Sequence, residues 1–303
     1  MNIRIYAKLM LSAFFWGGSA IAGKYALQDY SPALVTFARF FIAALIVFLL
    51  VNTKKTLLTV GLKQHLQLFI IALAGVSLCY YFYFRGLLLS SAFNAGIIEA
   101  TTPLLTLLIA ALCGMERLTL RQLSGLLIAW LGVGVTMTNG DWRRLAGDGY
   151  NVGDLLLLVS TLCFGVYNIL TRRWQMAIPD RVFMFWFFFY GSMALLPWLI
   201  GEAWRQPAAF SPRAALQPLP LLSILFMAAG GSVIAYLFFN QGIRAIGASA
   251  AAAFINLVPF VTVFLSVCLL GERVGIFQWT GAVTILVGVL VASQRRRAAL
   301  ARS

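Results

Sequence analysis

The stretch GMERLTLRQLSG, residues 114–125, returns as GERVGIFQWTG at 271–281. At an offset of 156, Glu116 meets Glu272, Arg117 meets Arg273, Gln122 meets Gln278 and Gly125 meets Gly281. Outward from these anchors the register holds for Gly86/Gly242, Pro103/Pro259 and Gly132/Gly288. The identities fall on glycine, proline and loop charges, where backbone geometry selects the residue, so shared apolar composition does not account for them. Nearer the amino terminus the offset is 148: Trp16-Gly17 meets Phe164-Gly165, and Lys24 meets Arg172. The extra eight residues fit the longer connection at 202–218. The chain reads as an internal duplication.

Apolar runs fill the space between these anchors. Of 303 residues, 61% are hydrophobic and 11% charged, against about 25% charged in an ordinary soluble domain. A soluble globule of this size could not hide so much apolar surface. A soluble enzyme, a disulfide scaffold and a disordered chain are excluded. Ten runs stand out, at 5–27, 32–52, 66–88, 92–113, 119–138, 153–172, 181–201, 219–243, 248–270 and 276–293. Each matches the roughly 20 residues of a membrane helix, and Pro32, Pro179, Pro218 and Pro220 punctuate the joins. Arg4 and Lys8, an apolar stretch and Ala20-Ile21-Ala22 have the form of a signal peptide. The repeat makes that run a matched part of the fold, so it is expected to be retained.

The net charge of +14 does not indicate nucleic acid, because Lys and Arg sit mostly in the gaps between runs. Basic loops on one side of a membrane give the same total. One side carries 15 basic residues, including Lys54, Lys55, Arg172 and the tail Arg295, Arg296, Arg297 and Arg302. The other carries 7, including Lys24, Arg213 and Arg273, and Arg39 is left inside a run. This bias places both termini in the cytoplasm. Five helices per repeat is an odd number, so the second repeat enters the membrane upside down. The expected fold is all-α and integral to the membrane, with ten transmembrane helices as two inverted five-helix repeats. The repeats occupy 7–138 and 153–293, followed by a basic cytoplasmic tail, 294–303. Inverted repeats are the architecture of alternating-access carriers and also occur in channels.

Thr119 followed by Gln122 is a capping box that starts the fifth helix; its counterpart, Gly275 followed by Gln278, is plainer. Gly125 and Gly132 share one helix face, as do Gly281 and Gly288, and small faces let membrane helices pack closely. Cys79, Cys113, Cys163 and Cys268 have no C-x-x-C spacing and read as small buried hydrophobes. His65, alone at a membrane edge, cannot build a multi-histidine metal site.

On these residues the chain resembles the drug/metabolite transporter superfamily, EamA-type. The features that carry the resemblance are Trp16-Gly17-Gly18, Pro32 with Arg39, and the two Glu-Arg stretches at 114–125 and 271–281. The resemblance spans about residues 7–293. It implies a ten-helix fold of two EamA repeats with both termini cytoplasmic. It further implies a central cavity and export of metabolites such as amino acids, or of foreign compounds.

Charges inside a membrane default to functional hypotheses. Glu99 is the only acid well inside a run, one turn before Pro103. It reads either as a proton-coupling carboxylate or ammonium partner, or as half of a structural pair with Arg39 or Arg85. Arg39 costs about 2.5–3.5 kcal/mol at a helix centre, so it must face protein or water. It reads as a carboxylate clamp or as a structural residue, and Phe187 stands at its repeat position. Lys24 and Arg172 read as snorkelling anchors. Trp16, Tyr83, Asn94, Tyr167, Asn168, Tyr236, Asn240 and Asn256 are the remaining candidates for a cavity wall. The run Phe183 to Tyr190 reads as lipid-facing or helix-packing bulk.

No G-x4-G-K-[ST] is present, so the chain itself does not hydrolyse ATP. Neither a histidine at depth nor a D-x3-D pair within a run supports an intramembrane enzyme. The expected protein is a non-enzymatic secondary carrier that exports small metabolites at the cell membrane. No cofactor is expected, and an ion gradient, protons first, supplies the drive. Its expected partners are a small solute and membrane lipid. A flippase for a lipid-linked substrate is the nearest rival.

Overall fold

The computed structural model describes residues 3–51, 57, 59–145, 150–174, 178–205, 217–246 and 254–293. Lys54, Lys55, Arg213, residues 248–253 of the ninth apolar run and the tail at 294–303 lie outside the described residues. No strand occurs among the described residues. The helices are α1 (Ile3–Ala26), α2 (Pro32–Leu50), α3 (Leu62–Ala72), α4 (Cys79–Leu89), α5 (Ala92–Glu99), α6 (Thr102–Leu112) and α7 (Leu120–Thr138). They continue with α8 (Val152–Trp174), α9 (Asp180–Met193), α10 (Leu196–Arg205), α11 (Pro218–Phe226), α12 (Ala235–Ile246), α13 (Leu257–Leu270) and α14 (Ile276–Ser293).

Seven stretches are long and apolar enough to cross a membrane: α1, α2, α3 with α4, α7, α8, α9 with α10, and α11 into α12. The pair α5 and α6 passes the same test together but bends by 41° at its break. The break lies just before Pro103, which lacks an N–H and disfavours helical geometry in the residue before it. The sequence reading ran one helix through this point. The helices α13 and α14 are apolar but shorter. The chain is an integral membrane protein.

Two further departures from regular helix were not foreseen. Leu73–Leu78 joins α3 to α4, and Met227–Ile234 joins α11 to α12, each as a π-helical segment. They fall at equivalent places in the two halves, and each uses a glycine for close approach. A Cβ on Gly75 would meet the Tyr167 ring at 2.5 Å, and one on Gly231, 156 residues on, would meet Ser19 Oγ at 2.3 Å.

Local sequence accounts for many of the helix ends. Ser31 accepts from Leu34 N and opens α2, with Pro32 in its first turn. Thr119 and Gln122 form the anticipated capping box. Gly114 after α6 and Gly271 after α13 both take left-handed backbone, at φ 70° and 62°, as helix ends favour. The extra Met115 displaces the motif by one residue without removing the glycine's role.

Packing repeats between the halves. The pair α4 on α8 mirrors α1 on α12, and α6 on α8 mirrors α1 on α13. The most extensive pairing is α7 with α14. A Cβ on Gly125 would meet the Gly288 carbonyl at 2.6 Å, and one on Gly132 would meet the Gly281 carbonyl at 2.8 Å. Along α7 from 125 to 132 the partner numbers fall from 288 to 281, so the two helices run antiparallel with backbones in contact.

A second core lies around α2, α3 and α9. Phe187 and Phe188 are buried there with Phe40, Val47 and Val76, so the aromatic run packs helices. His65 Nδ1 meets the Tyr190 hydroxyl at 2.9 Å. All four cysteines are free; Cys79 is buried, but Cys113 and Cys268 are exposed. Those two correct the expectation of burial: Cys113 lies in the turn after α6, and Cys268 points outward from α13, where an apolar residue of a membrane helix faces lipid.

Candidate functional site

A cavity of about 1420 Å³ lies between the halves. Its wall takes Trp16 and Ser19 from α1, Arg39 from α2, Tyr80 and Tyr83 from α4, and Glu99 from the end of α5. The second half supplies Tyr167 and Asn168 from α8, Tyr236 and Phe239 from α12, and Asn256 at the start of α13. Many of these positions are repeat equivalents. At the offset of 156, Tyr80 meets Tyr236, Tyr83 meets Phe239, Glu99 meets Ile255 and Ala100 meets Asn256. At 148, Trp16 meets Phe164 and Ser19 meets Tyr167. The ring layout is thus near-symmetric while the deep charges are not: Glu99 faces Ile255, and Arg39 has Phe187 as its counterpart.

Arg39 is 1% exposed. Its Nε donates to Ser232 Oγ at 3.0 Å. Its guanidinium lies 4.6 Å from the Tyr80 ring centre and 4.9 Å from that of Phe40, where the ring faces attract a cation. Ser232 belongs to the π segment, whose Gly231 carbonyl accepts from Trp16 Nε1 at 3.0 Å. The Trp16 ring stands edge-on to Tyr236 and Phe239, with centres at 5.5 and 5.3 Å. Tyr167 packs on Phe187 at 5.2 Å. Asn168 Nδ2 donates to Thr106 Oγ1 at 3.3 Å.

Glu99 is half-buried on the cavity wall. The break after α5 leaves its carbonyl to accept from Thr102 Oγ1 at 2.6 Å. Glu99 and Arg39 interact electrostatically, yet among the described residues they form no ion pair. Arg85 is exposed. The structural pair that sequence offered for Glu99 is therefore not formed.

Eight of the ten sequence candidates meet on this wall: Trp16, Arg39, Tyr83, Glu99, Tyr167, Asn168, Tyr236 and Asn256. Asn94 and Asn240 do not. The Asn94 amide is held by Asp154 and Gln278 beyond the end of the cavity. Asn240, one turn past Tyr236, is half-buried off the wall. Sequence reasoning missed Ser232 and also Asp154, a buried acid, 1% exposed. Asp154 stands at the start of an apolar run, where an acid reads as an ordinary first-turn residue. Lys24 and Arg172 are not free anchors either: Lys24 donates to the Ser90 carbonyl and Arg172 pairs with Glu116.

Among the described residues the cavity has a polar mouth. Glu116, Thr119, Arg121, Gln122 and Arg172 line it, and the side chains of Arg172 and Glu116 are 55% and 34% exposed. At the opposite end Lys24, Ser90, Asp154 and Glu272 take no part in the wall. Among the described residues no group of three or more His, Cys, Asp or Glu side chains could hold a metal ion.

A mixed polar and aromatic chamber enclosed by apolar helices is the site of a membrane transport protein. The chain belongs to the EamA-like transporter family, whose model matches residues 4–138 and 151–294. It is 29% identical over 297 residues to the uncharacterized transporter YyaM of Bacillus subtilis (strain 168), covering 96% of this chain and 94% of that one. It is 25% identical over 271 residues to the S-adenosylmethionine/S-adenosylhomocysteine transporter of Chlamydia trachomatis serovar L2, covering 87% and 81%. A crystal structure superposes with a TM-score of 0.62 at 20% identity and covers 97% of each chain, which supports the fold.

Proposed function

We propose that this chain is a secondary-active carrier that exports small amphipathic metabolites, amino acids or related compounds and drugs among them, across the cell membrane by alternating access. The observation that carries this reading is the placement of Glu99 and Arg39, unpaired with each other, in one aromatic chamber with a polar mouth. A carboxylate offers a site for an ammonium or a proton, a guanidinium offers one for a carboxylate, and the rings receive an apolar body. The name of the chlamydial relative is consistent with this: S-adenosylmethionine carries an α-amino acid group.

Ten spans in two inverted repeats are part of the proposal. The seven long helices, the bent pair α5–α6 and the two shorter helices α13 and α14 together make ten. Glu272 bonds the start of α5, whereas Glu116 follows the end of α6, so the two loops sit at opposite ends of one bent pair. The antiparallel contact of α7 with α14 supports the same inversion. The basic-residue bias supports a cytoplasmic location for the Glu116 end and both termini.

A second reading, transport of a lipid-linked substrate, is favoured by the outer rim of the cavity. Phe260 and Leu290 join the wall while 55% and 60% exposed, which offers apolar surface to an acyl chain. The deciding experiment compares metabolites in spent medium from overexpressing and deletion strains, followed by uptake of the hits into proteoliposomes. A water-soluble zwitterion enriched by overexpression and carried by the purified protein is the expected result. Movement of lipid-linked solutes alone would replace the first reading by the second.

A further inference from the structure

The end of the molecule away from the mouth is tied by polar groups that do not line the cavity. Both carboxylate oxygens of Glu272 are engaged: Oε1 accepts from Ala92 N–H at 2.8 Å and Oε2 from Phe93 N–H at 2.9 Å. These first amides of α5 have no partner within their own helix. The carboxylate therefore caps α5 and fastens the α13–α14 connection to it. Lys24, near the end of α1, donates to the Ser90 carbonyl just before α5. Ser90 Oγ donates to Asp154 at the start of α8, and Asn94 Nδ2 donates to both Asp154 oxygens at 3.1 Å. Gln278 Nε2 closes the set by donating to Asn94 Oδ1 at 3.0 Å. Beside them Phe93, Ile97, Val133, Ala282 and Ile285 form a buried apolar plug.

The repeat equivalents at the mouth are arranged otherwise. Glu116, the counterpart of Glu272, bonds Arg172 in a partly exposed pair on the cavity wall. Gln122 folds back on the N–H and hydroxyl of Thr119, as its counterpart Gln278 does on the Gly275 N–H, but Gln278 also reaches across to Asn94. Glu272 and Gln278 thus bridge helices of both halves, whereas Glu116 and Gln122 line the cavity.

We propose that Glu272 is the latch of the closed end. Its release from Ala92 and Phe93 is the step that opens that end, and the Asp154–Asn94–Gln278 network sets how firmly the end is held. The inference rests on the alternating-access reading above. Glu272 acts as a positioning residue, because it bonds helix backbone and stands off the cavity wall. Bonds made in one access state and lost in the other bias the balance between the two states, and removing them moves the population.

The test needs no substrate. Cys79, Cys113, Cys163 and Cys268 are replaced by serine, and a single reporter cysteine is placed at Thr102, on the cavity wall one turn from Glu99. An impermeant maleimide is applied to each membrane face in turn, on intact cells and on inverted vesicles. The parent should label fast from the Glu116 face and slowly from the Glu272 face. In Glu272→Ala the rate from the Glu272 face should rise at least about tenfold, since hydrogen bonds to a charged group carry that weight. The rate from the other face should fall. Gln278→Ala should move both rates in the same direction by less. Unchanged labelling in a Glu272→Ala protein that elutes as a folded species overturns the latch. Should that variant not fold, unchanged labelling in both Glu272→Gln and Gln278→Ala overturns it equally. A parent labelled equally fast from both faces would instead overturn alternating access itself, since an open channel has no closed end to hold.

Discussion

Glu99 and Arg39 face one cavity from α5 and α2 without forming an ion pair. Arg39 is held by Ser232 and two aromatic rings, so it does not need Glu99 to stay in place. A buried pair joined directly would neutralise itself and leave little for a solute to bind. In the proposed carrier, separated charges in one chamber would be free to receive a solute.

Glu99→Gln tests the carboxylate. The amide keeps the shape and most of the hydrogen bonding but neither titrates nor carries charge. The variant is expected to fold and to perform counterflow exchange of substrate in proteoliposomes. Accumulation driven by an imposed pH gradient should be lost. Undiminished pH-driven accumulation would leave Glu99 without a coupling role.

Arg39→Ala removes a side chain that fills space beside Phe40 and Tyr80 as well as a charge. Expression should fall, with a loss of about 2–4 kcal/mol in stability from the cavity created. Because Glu99 is not bonded to Arg39, adding Glu99→Gln should not restore expression; the double change should cost about the sum of the two single ones. Thermal unfolding of the four proteins in detergent measures the cycle, and a rescue by the second change would show a direct pair.

How much of this was legible in the sequence follows from the scale of each signal. The apolar runs gave the all-helical membrane class, because the membrane fixes helix length, and the Glu-Arg duplication with its glycines and prolines gave the register proposed for the repeats. The break between α5 and α6 had its cue in Pro103, yet the run at 92–113 reads as one helix, since a proline alone does not say whether a membrane helix bends or parts. The π segments had no cue: Leu73–Leu78 and Met227–Ile234 are apolar runs like their neighbours, and the close packing on Gly75 and Gly231 appears only in the fold. Glu99 and Arg39 were found by rarity at depth. Asn94 and Asn256 look alike in sequence, and only the fold brings Asp154 and Gln278 to the first of them. The turn at Asn256, where the helix Leu257–Leu270 begins, leaves the second on the cavity wall.

The contact of Gly132 with α14 predicts a steep size dependence. An added Cβ there would meet Ile285 N at 2.7 Å and the Gly281 carbonyl at 2.8 Å, both backbone atoms that a rotamer change cannot move. Gly132→Leu should destabilise by about 1–3 kcal/mol or more through forced separation of the helices. Gly275→Ala, whose Cβ would find nothing nearer than 3.7 Å, should stay within about 0.5 kcal/mol. Melting temperatures of the two variants in the same detergent decide it, and equal values would mean that α7 and α14 do not pack through these glycines.

Topology is tested by single cysteines at Arg117 and Arg273, equivalent loop positions that are both exposed. Neither residue is part of a helix cap, so the substitutions leave Thr119–Gln122 and Gly275–Gln278 intact. In an inverted repeat the two sites lie on opposite faces of the membrane. An impermeant thiol reagent on intact cells should modify Arg273→Cys and spare Arg117→Cys until the membrane is opened; the unequal distribution of basic residues sets that polarity. The opposite pattern would keep the inversion and reverse the orientation. Equal modification of both sites in intact cells would place the two Glu-Arg loops on one face, and the inverted arrangement of the halves would have to be given up.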